Sequence, residues 1–186
     1  MNEFFYETVG STNDVGVWLL DHGMAQPFFI TAQRQTSGRG QFNRVWYSGD
    51  RENLYISFVF CPSITPDAFQ NFSVKVAERL VQKLSQELKI NLRVKFPNDI
   101  YCDECKLCGI LTESKIVENR IRFAVTGIGL NISGDLSAFP KDIKNRTTTL
   151  SACCNSRISK KQVQGWVIEV MEKLIREISD KSCQMR

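Results

Sequence analysis

The chain has 186 residues, enough for one domain with a full core, since a chain of about 150 residues buries roughly 70% of the surface it exposes unfolded. Apolar residues make up 42% and charged residues 24%, and the net charge of +4 is dispersed, which suits a globular protein and leaves no electrostatic footprint for nucleic acid and no apolar run for a membrane helix. The start, Met1-Asn2-Glu3-Phe4-Phe5-Tyr6-Glu7, is acidic and aromatic and no secretory signal, so a cytoplasmic location is expected, where seven cysteines read as free thiols.

Along the chain, Ser11-Thr12-Asn13-Asp14 predicts a helix start, with capping side chains ahead of Val15, Trp18 and Leu19, and His22-Gly23 ends that helix. Phe28-Phe29-Ile30-Thr31-Ala32 predicts a buried strand. Residues 33–50 form a polar surface loop carrying Gly38, Gly40 and Gly49. Residues 53–61 return to an apolar, β-branched strand, broken by Pro62 and Pro66. Asp67 is expected to cap a helix to about residue 88, with Phe69, Phe72, Val76, Leu80 and Leu84 on one face. Residues 87–96 lead into a strand. A hairpin follows, Ile100-Tyr101-Cys102 and Cys105-Lys106-Leu107 around the turn Asp103-Glu104. Residues 106–113 and 120–128 are further strands. After Asn131 the chain reads as irregular to about Thr149. Residues 160–179 form an amphipathic helix with Val163, Trp166, Val167, Val170, Met171, Leu174 and Ile178 inward. The fold class is α+β, a mixed β-sheet packed against helices, read as one unit over residues 1–186.

Three segments carry chemistry. In Arg34-Gln35-Thr36-Ser37-Gly38-Arg39-Gly40-Gln41-Phe42-Asn43-Arg44, glycines let backbone N–H groups approach an anion, and arginine offers a fork of donors to phosphate or carboxylate. Trp46 is placed to stack on a purine. The same loop also reads as a polar connection with a core tryptophan, and the P-loop pattern is absent. In Lys95-Phe96-Pro97-Asn98-Asp99-Ile100-Tyr101, a lysine in an apolar context must be paired or face a cleft. There it can stabilise charge at a substrate carboxylate and an α-phosphate, or it is an edge lysine before an ordinary turn. Gly109-Ile110-Leu111-Thr112-Glu113 and Gly127-Ile128-Gly129-Leu130-Asn131 place glycines inside apolar strands, which implies close approach to the backbone. That suits a smooth floor for a flat ligand, or tight packing.

Together these segments resemble the catalytic domain of biotin–protein ligases, over roughly residues 5–132. Ser11-Thr12-Asn13 looks like the family's STN motif, and Gln35-Thr36-Ser37-Gly38-Arg39-Gly40 like its glycine–arginine–glycine loop. Arg44, Trp46, Ser48, Asn53, Leu54 and Ser57 match the positions that follow. Lys95 to Tyr101 resembles KWPNDIY with Phe96 for tryptophan, Lys106 to Leu111 resembles KLxGIL, and Gly127 to Asn131 resembles GxGxN.

The resemblance implies the biotin/lipoyl ligase catalytic fold, similar to class II aminoacyl-tRNA synthetases. It implies activation of biotin with ATP and Mg²⁺ to biotinyl-5′-AMP, then transfer to a lysine of a carrier protein, expected to be the biotin carboxyl carrier protein of acetyl-CoA carboxylase. Ser11, Thr12 and Gln35 would then bind the ureido ring, and Asn13 and Gln41 would also be among the ligand-binding residues. Arg39 and Arg44 would hold phosphate and order the loop of Gly38 and Gly40. Trp46 and Asn131 would meet adenine, Gly109, Leu111, Gly127 and Gly129 would floor the biotin slot, and Lys95, with Arg39, would be the electrostatic catalyst. A homodimer through a sheet edge is compatible with this picture.

Three departures from the family pattern stand out. Gln41-Phe42-Asn43 replaces arginine-arginine-glycine, which predicts weaker retention of the adenylate. The matching motifs begin almost at Met1, so no DNA-binding domain is expected. The last helix is followed by a short tail, so the usual C-terminal β-domain is expected to be absent. Cys102, Cys105 and Cys108 have spacing seen in some iron–sulfur sites, but a hairpin separates the first two and the third lies in a strand, so packing thiols are expected. The competing functions are a lipoate–protein ligase, a cysteine-dependent lipoyl or octanoyl transferase, and a non-catalytic regulator that binds biotin or a carrier protein.

Overall fold

The computed structural model describes every residue except 49–51, 134, 135, 137, 138, 185 and 186, so Gly49 of the predicted loop lies outside the described residues. Seven strands form one mixed sheet: β1 (Asn2–Val9), β2 (Phe28–Gln35), β3 (Leu54–Phe60), β4 (Leu92–Lys95), β5 (Asp99–Cys102), β6 (Cys105–Val117) and β7 (Arg120–Leu130), in the order β1-β2-β3-β7-β6-β5-β4. The β1–β2 pair is parallel and the other pairs are antiparallel. The helices are α1 (Thr12–Asp21), α2 (Pro66–Phe69), α3 (Phe72–Leu88), α4 (Lys141–Lys144), α5 (Leu150–Cys153) and α6 (Lys160–Gln184). This is the α+β arrangement that the pattern of elements predicts.

Strand β3 explains how the layers are assigned. All seven of its residues are buried, and alternate side chains go to opposite faces. Leu54, Ile56, Phe58 and Phe60 enter the large core, where α3 contributes Val76, Leu80 and Leu84 and α6 contributes Val163, Val167 and Met171. Val59 enters a smaller core with Leu19 of α1 and Phe28, Ile30 and Val125. Tyr55 and Ser57 share the α1 face, but past the start of that helix, where the sheet is polar and open. The sheet is therefore fully apolar on one side and half-covered on the other. The uncovered half carries the site.

Several expectations need correcting. Strand β1 is unpredicted: it is an edge strand with mostly exposed side chains, so its burial alternation is faint. The helix predicted from Asp67 is two helices. Thr65, not Asp67, caps the first, its hydroxyl accepting from Ala68 N at 3.4 Å, and Asn71 breaks the run at φ 61°, a left-handed conformation that Asn tolerates well. Ser11 stands at the N-cap of α1 but makes no side-chain cap bond. The irregular stretch after Asn131 holds α4 and α5, and the last helix runs on to Gln184. The hairpin is as predicted, with Cys102 opposite Cys105. Among the described residues no helix is long and apolar enough to cross a membrane.

Candidate functional site

A cavity of about 510 Å³ opens on the uncovered half of the sheet. It gathers segments far apart in sequence: the start of α1, the loop after β2, the β4–β5 turn, and the middle of the β6–β7 pair. Of the residues given a binding or catalytic role from sequence, all line this cavity except Gly38; Ser48, Asn53, Leu54 and Ser57, which matched the motif positions, lie behind it. Gly38 is buried behind the loop, where a Cβ would stand 2.7 Å from the Trp46 carbonyl oxygen. It lets the loop fold back on itself and is not a wall of the cavity.

One end of the cavity is a polar cluster. Gln35 Oε1 accepts from the Thr12 backbone N–H at 2.8 Å and from the Thr12 hydroxyl at 3.0 Å, while Gln35 Nε2 donates to Ser48 Oγ at 3.1 Å. Ser57 Oγ lies 2.7 Å from Thr12 Oγ1 and 2.6 Å from Asn13 Oδ1. Asn13 Nδ2 donates to Glu113 Oε2 at 2.6 Å. Gly127 makes this possible, because any Cβ there would strike the Asn13 amide. A donor–acceptor chain of this kind is held rigid by its own bonds.

The middle of the cavity is a floor of paired glycines. Gly109 faces Gly129 across β6 and β7, and Leu111 faces Gly127. The sequence predicts a ligand on this floor. The structure places the Trp46 ring there: a Cβ on Gly109 would lie 2.8 Å from Trp46 Cζ3, and one on Gly129 would collide with the same ring. The glycines thus make room for a protein side chain, and any ligand meets that ring. The Trp46 indole N–H is buried without a hydrogen-bond partner among the described residues.

The other end is cationic. Arg39, Arg44, Lys95, Lys106 and Arg146 line the cavity, against one lining carboxylate among the described residues, Asp99. Lys95 ends β4 but is exposed, not held in apolar surroundings as expected. Its ammonium lies over the Tyr101 ring at 4.5 Å and 3.4 Å from the Tyr101 hydroxyl. Lys106 lies deeper, 5.4 Å from the centre of the Trp46 ring, and is paired with Asp99 at 2.8 Å. Arg39 makes a bidentate pair with Asp14 at 2.6 and 2.7 Å and reaches Glu113 at 3.4 Å. The hydrogen bonds that Arg39 donates to Asp14 raise its hold on the guanidinium proton above the ordinary value.

Sequence reading passed over Lys106, Glu113, Asp14 and Tyr101 as site residues. Lys106 and Glu113 belong to motifs it had noted, so a signal existed. Tyr101 closes the motif that begins at Lys95, so it too carried a signal; the role of Asp14 is placed only by its contact with Arg39. No cysteine lines the cavity among the described residues. Cys108 points into the core, its thiol pushed up by burial, and Cys153 is pushed up to about 12 by burial and by its bond with Cys102. Among the described residues no group of three or more His, Cys, Asp or Glu side chains is arranged to hold a metal ion.

A model of the Biotin/lipoate A/B protein ligase family matches residues 7–131. The bifunctional ligase/repressor BirA of Bacillus subtilis is 28% identical over 173 residues, which is 93% of this chain and 53% of that protein, so the chain spans about half the length of this relative. The biotin protein ligase of Aquifex aeolicus in complex with biotin and ATP superposes with a TM-score of 0.76 at 26% identity, over 97% of this chain and 72% of that one. The Leishmania major biotin protein ligase in complex with biotinyl-5-AMP, at 21% identity and a TM-score of 0.74, over 97% of this chain and 81% of that one, shares the fold.

Proposed function

We propose, from the premise that this chain belongs to the Biotin/lipoate A/B protein ligase family, that it activates biotin with ATP and transfers the biotinyl group to a lysine of a carrier protein. The observation that carries this reading is the convergence of a polar end, a flat floor and a cationic end in one cavity. A cyclic urea has one acceptor and two N–H donors, which suits the Ser11, Thr12 and Gln35 end. The dithiolane of lipoate offers no such groups, and this favours biotin over lipoate. The absence of a lining cysteine among the described residues argues against acyl transfer through a thiolate.

In the first step a biotin carboxylate oxygen attacks the α-phosphorus of ATP and pyrophosphate leaves. In the second, the acceptor amine attacks the carbonyl of the mixed anhydride, AMP leaves and an amide forms. Neither step needs a covalent enzyme nucleophile. The protein supplies position and fixed charge. Lys106, deep in the cavity beside Gly109, is placed for the carboxylate and α-phosphate, and Lys95 at the rim for the polyphosphate; Arg44 adds to that charge. Trp46 and Asn131 flank the adenine side. Magnesium would be held chiefly by the triphosphate, because Asp99 is the one lining carboxylate described and Lys106 already occupies it. The acceptor is the carrier domain of a biotin-dependent carboxylase.

The test is biotin-dependent exchange of pyrophosphate into ATP, followed by transfer of labelled biotin to a carrier domain. Exchange is expected with biotin and not with lipoate or octanoate. Lys106→Ala is expected to lose about 100-fold or more, as for a fixed charge at the reacting atoms, and Lys95→Ala less. Transfer at the wild-type rate by Lys106→Ala would remove its assigned role, and exchange driven by lipoate would overturn the choice of acid.

A further inference from the structure

We propose that Asp14 is a positioning residue: with Glu113 it forms a latch that holds the glycine loop against α1 through Arg39. Residues 38–46 are held mainly by their own backbone, with Gly40 N donating to Arg44 O at 2.7 Å, Trp46 N donating to Gly38 O at 2.9 Å, and Arg39 bridged to Val45. Beyond that span, among the described residues, the loop is tied down at two points. One is Trp46 on the glycine floor. The other is Arg39, whose two terminal nitrogens take both oxygens of Asp14 and one of Glu113. Between these ties Phe42 and Val45 are exposed.

The three elements joined at this guanidinium are the loop, the first turn of α1 and strand β6. Asp14 stands in the first turn of α1, where the helix dipole favours a negative charge. Glu113 is in turn bonded by Asn13, so the latch continues into the polar end of the cavity. Two carboxylates around one guanidinium leave the cluster net negative. Arg39 therefore anchors the loop, and anion binding falls to the other lining cations. Gln41, next along the loop, adds no charge, which makes the latch the loop's main electrostatic tie. Because Asp14 and Arg39 are both partly exposed, the tie weakens with salt.

Amide hydrogen exchange of residues 38–46, with trypsin cleavage after Arg39 and Arg44, tests this on the whole chain at low and high salt without ligand. Wild type is expected to exchange faster at high salt. Asp14→Asn is expected to exchange about fivefold faster than wild type at low salt, the effect of losing one good exposed ion pair, and to respond less to salt, since only the longer Arg39–Glu113 pair remains. Asp14→Glu should keep the salt response. Amides of β3 report the rest of the fold and should not change. Equal exchange in wild type and Asp14→Asn, or a wild type indifferent to salt, overturns the latch. If Asp14→Asn does not fold, the wild-type salt response and Arg39→Lys, which keeps the charge and loses the fork, decide it: Arg39→Lys exchanging like wild type overturns it. A second readout rests on the proposed function: in Asp14→Asn the KM for biotin should rise more than kcat falls. The exchange result needs no biotin activity, so failure of the latch and failure of the biotin reading are separate observations.

Discussion

Replacing Gly129 by alanine tests whether the glycine floor is set by the Trp46 ring. The new Cβ would lie 2.5 Å from Trp46 Cζ2 and closer still to Cε2, whereas ordinary contact begins at 3.4 Å, so ring and strand must separate by about 1 Å. Neither yields easily. Strand β7 is the central strand between β3 and β6, and Trp46 is held by its backbone N–H, which donates to the Gly38 carbonyl. Overpacking of this kind costs about 1–3 kcal/mol. The ring must move toward the cavity, and a displacement near 1 Å at a positioned group costs about 100-fold in rate. Urea unfolding measures the first effect and biotin-dependent pyrophosphate exchange the second. Gly10→Ala is the control, because nothing lies within 4 Å of a Cβ there. Adding Trp46→Ala to Gly129→Ala should return stability toward that of Trp46→Ala alone, since the two residues are in contact and their effects should not add. The reasoning fails if Gly129→Ala and Gly10→Ala are indistinguishable in both assays, or if the double variant is simply additive.

Two further outcomes follow from individual residues. Gln41→Arg should reduce escape of biotinyl-AMP into solution, measured with trapped labelled adenylate in the absence of acceptor; equal escape from both proteins removes any role of Gln41 in retention. Cys108 keeps its proton in the folded chain while the unfolded chain releases it from its ordinary value near 9, so above pH 9 the unfolded state binds fewer protons and stability falls, by up to about 1.4 kcal/mol per pH unit. No such loss occurs below pH 9. Truncating this buried side chain lowers stability at every pH, so the difference between wild type and Cys108→Ala in urea midpoints should be constant from pH 7 to about 9 and change only above it; a difference constant from pH 7 to 10.5 refutes it.

The strands that build the floor were legible because their chemistry is local. β3 and β7 are apolar runs, the β5–β6 hairpin has a two-residue turn, and glycines inside strands mark close approach wherever they occur. Strand β1 was not legible, because an edge strand with exposed side chains carries little alternation. Nor were α4 and α5, which are single turns; α5 is tied by bonds from outside its own segment, Leu150 N to Asn131 O and Ser151 N to Ile132 O. At the site, the sequence identified the segments but not their depth. Lys95 and Lys106 look alike as lysines beside apolar residues. Only the sheet places the first on the rim over Tyr101 and the second beside Trp46.

The sequence by itself determined which residue types converge: a polar cluster, a glycine-lined floor, and a set of cations. Tertiary structure decided what each is already doing. Arg39 is occupied by two carboxylates, and the floor glycines lie under a tryptophan. The reason is that hydrogen bonds and steric fit depend on partners as much as 100 residues away, such as Asn13 and Glu113, and no local pattern encodes those distances.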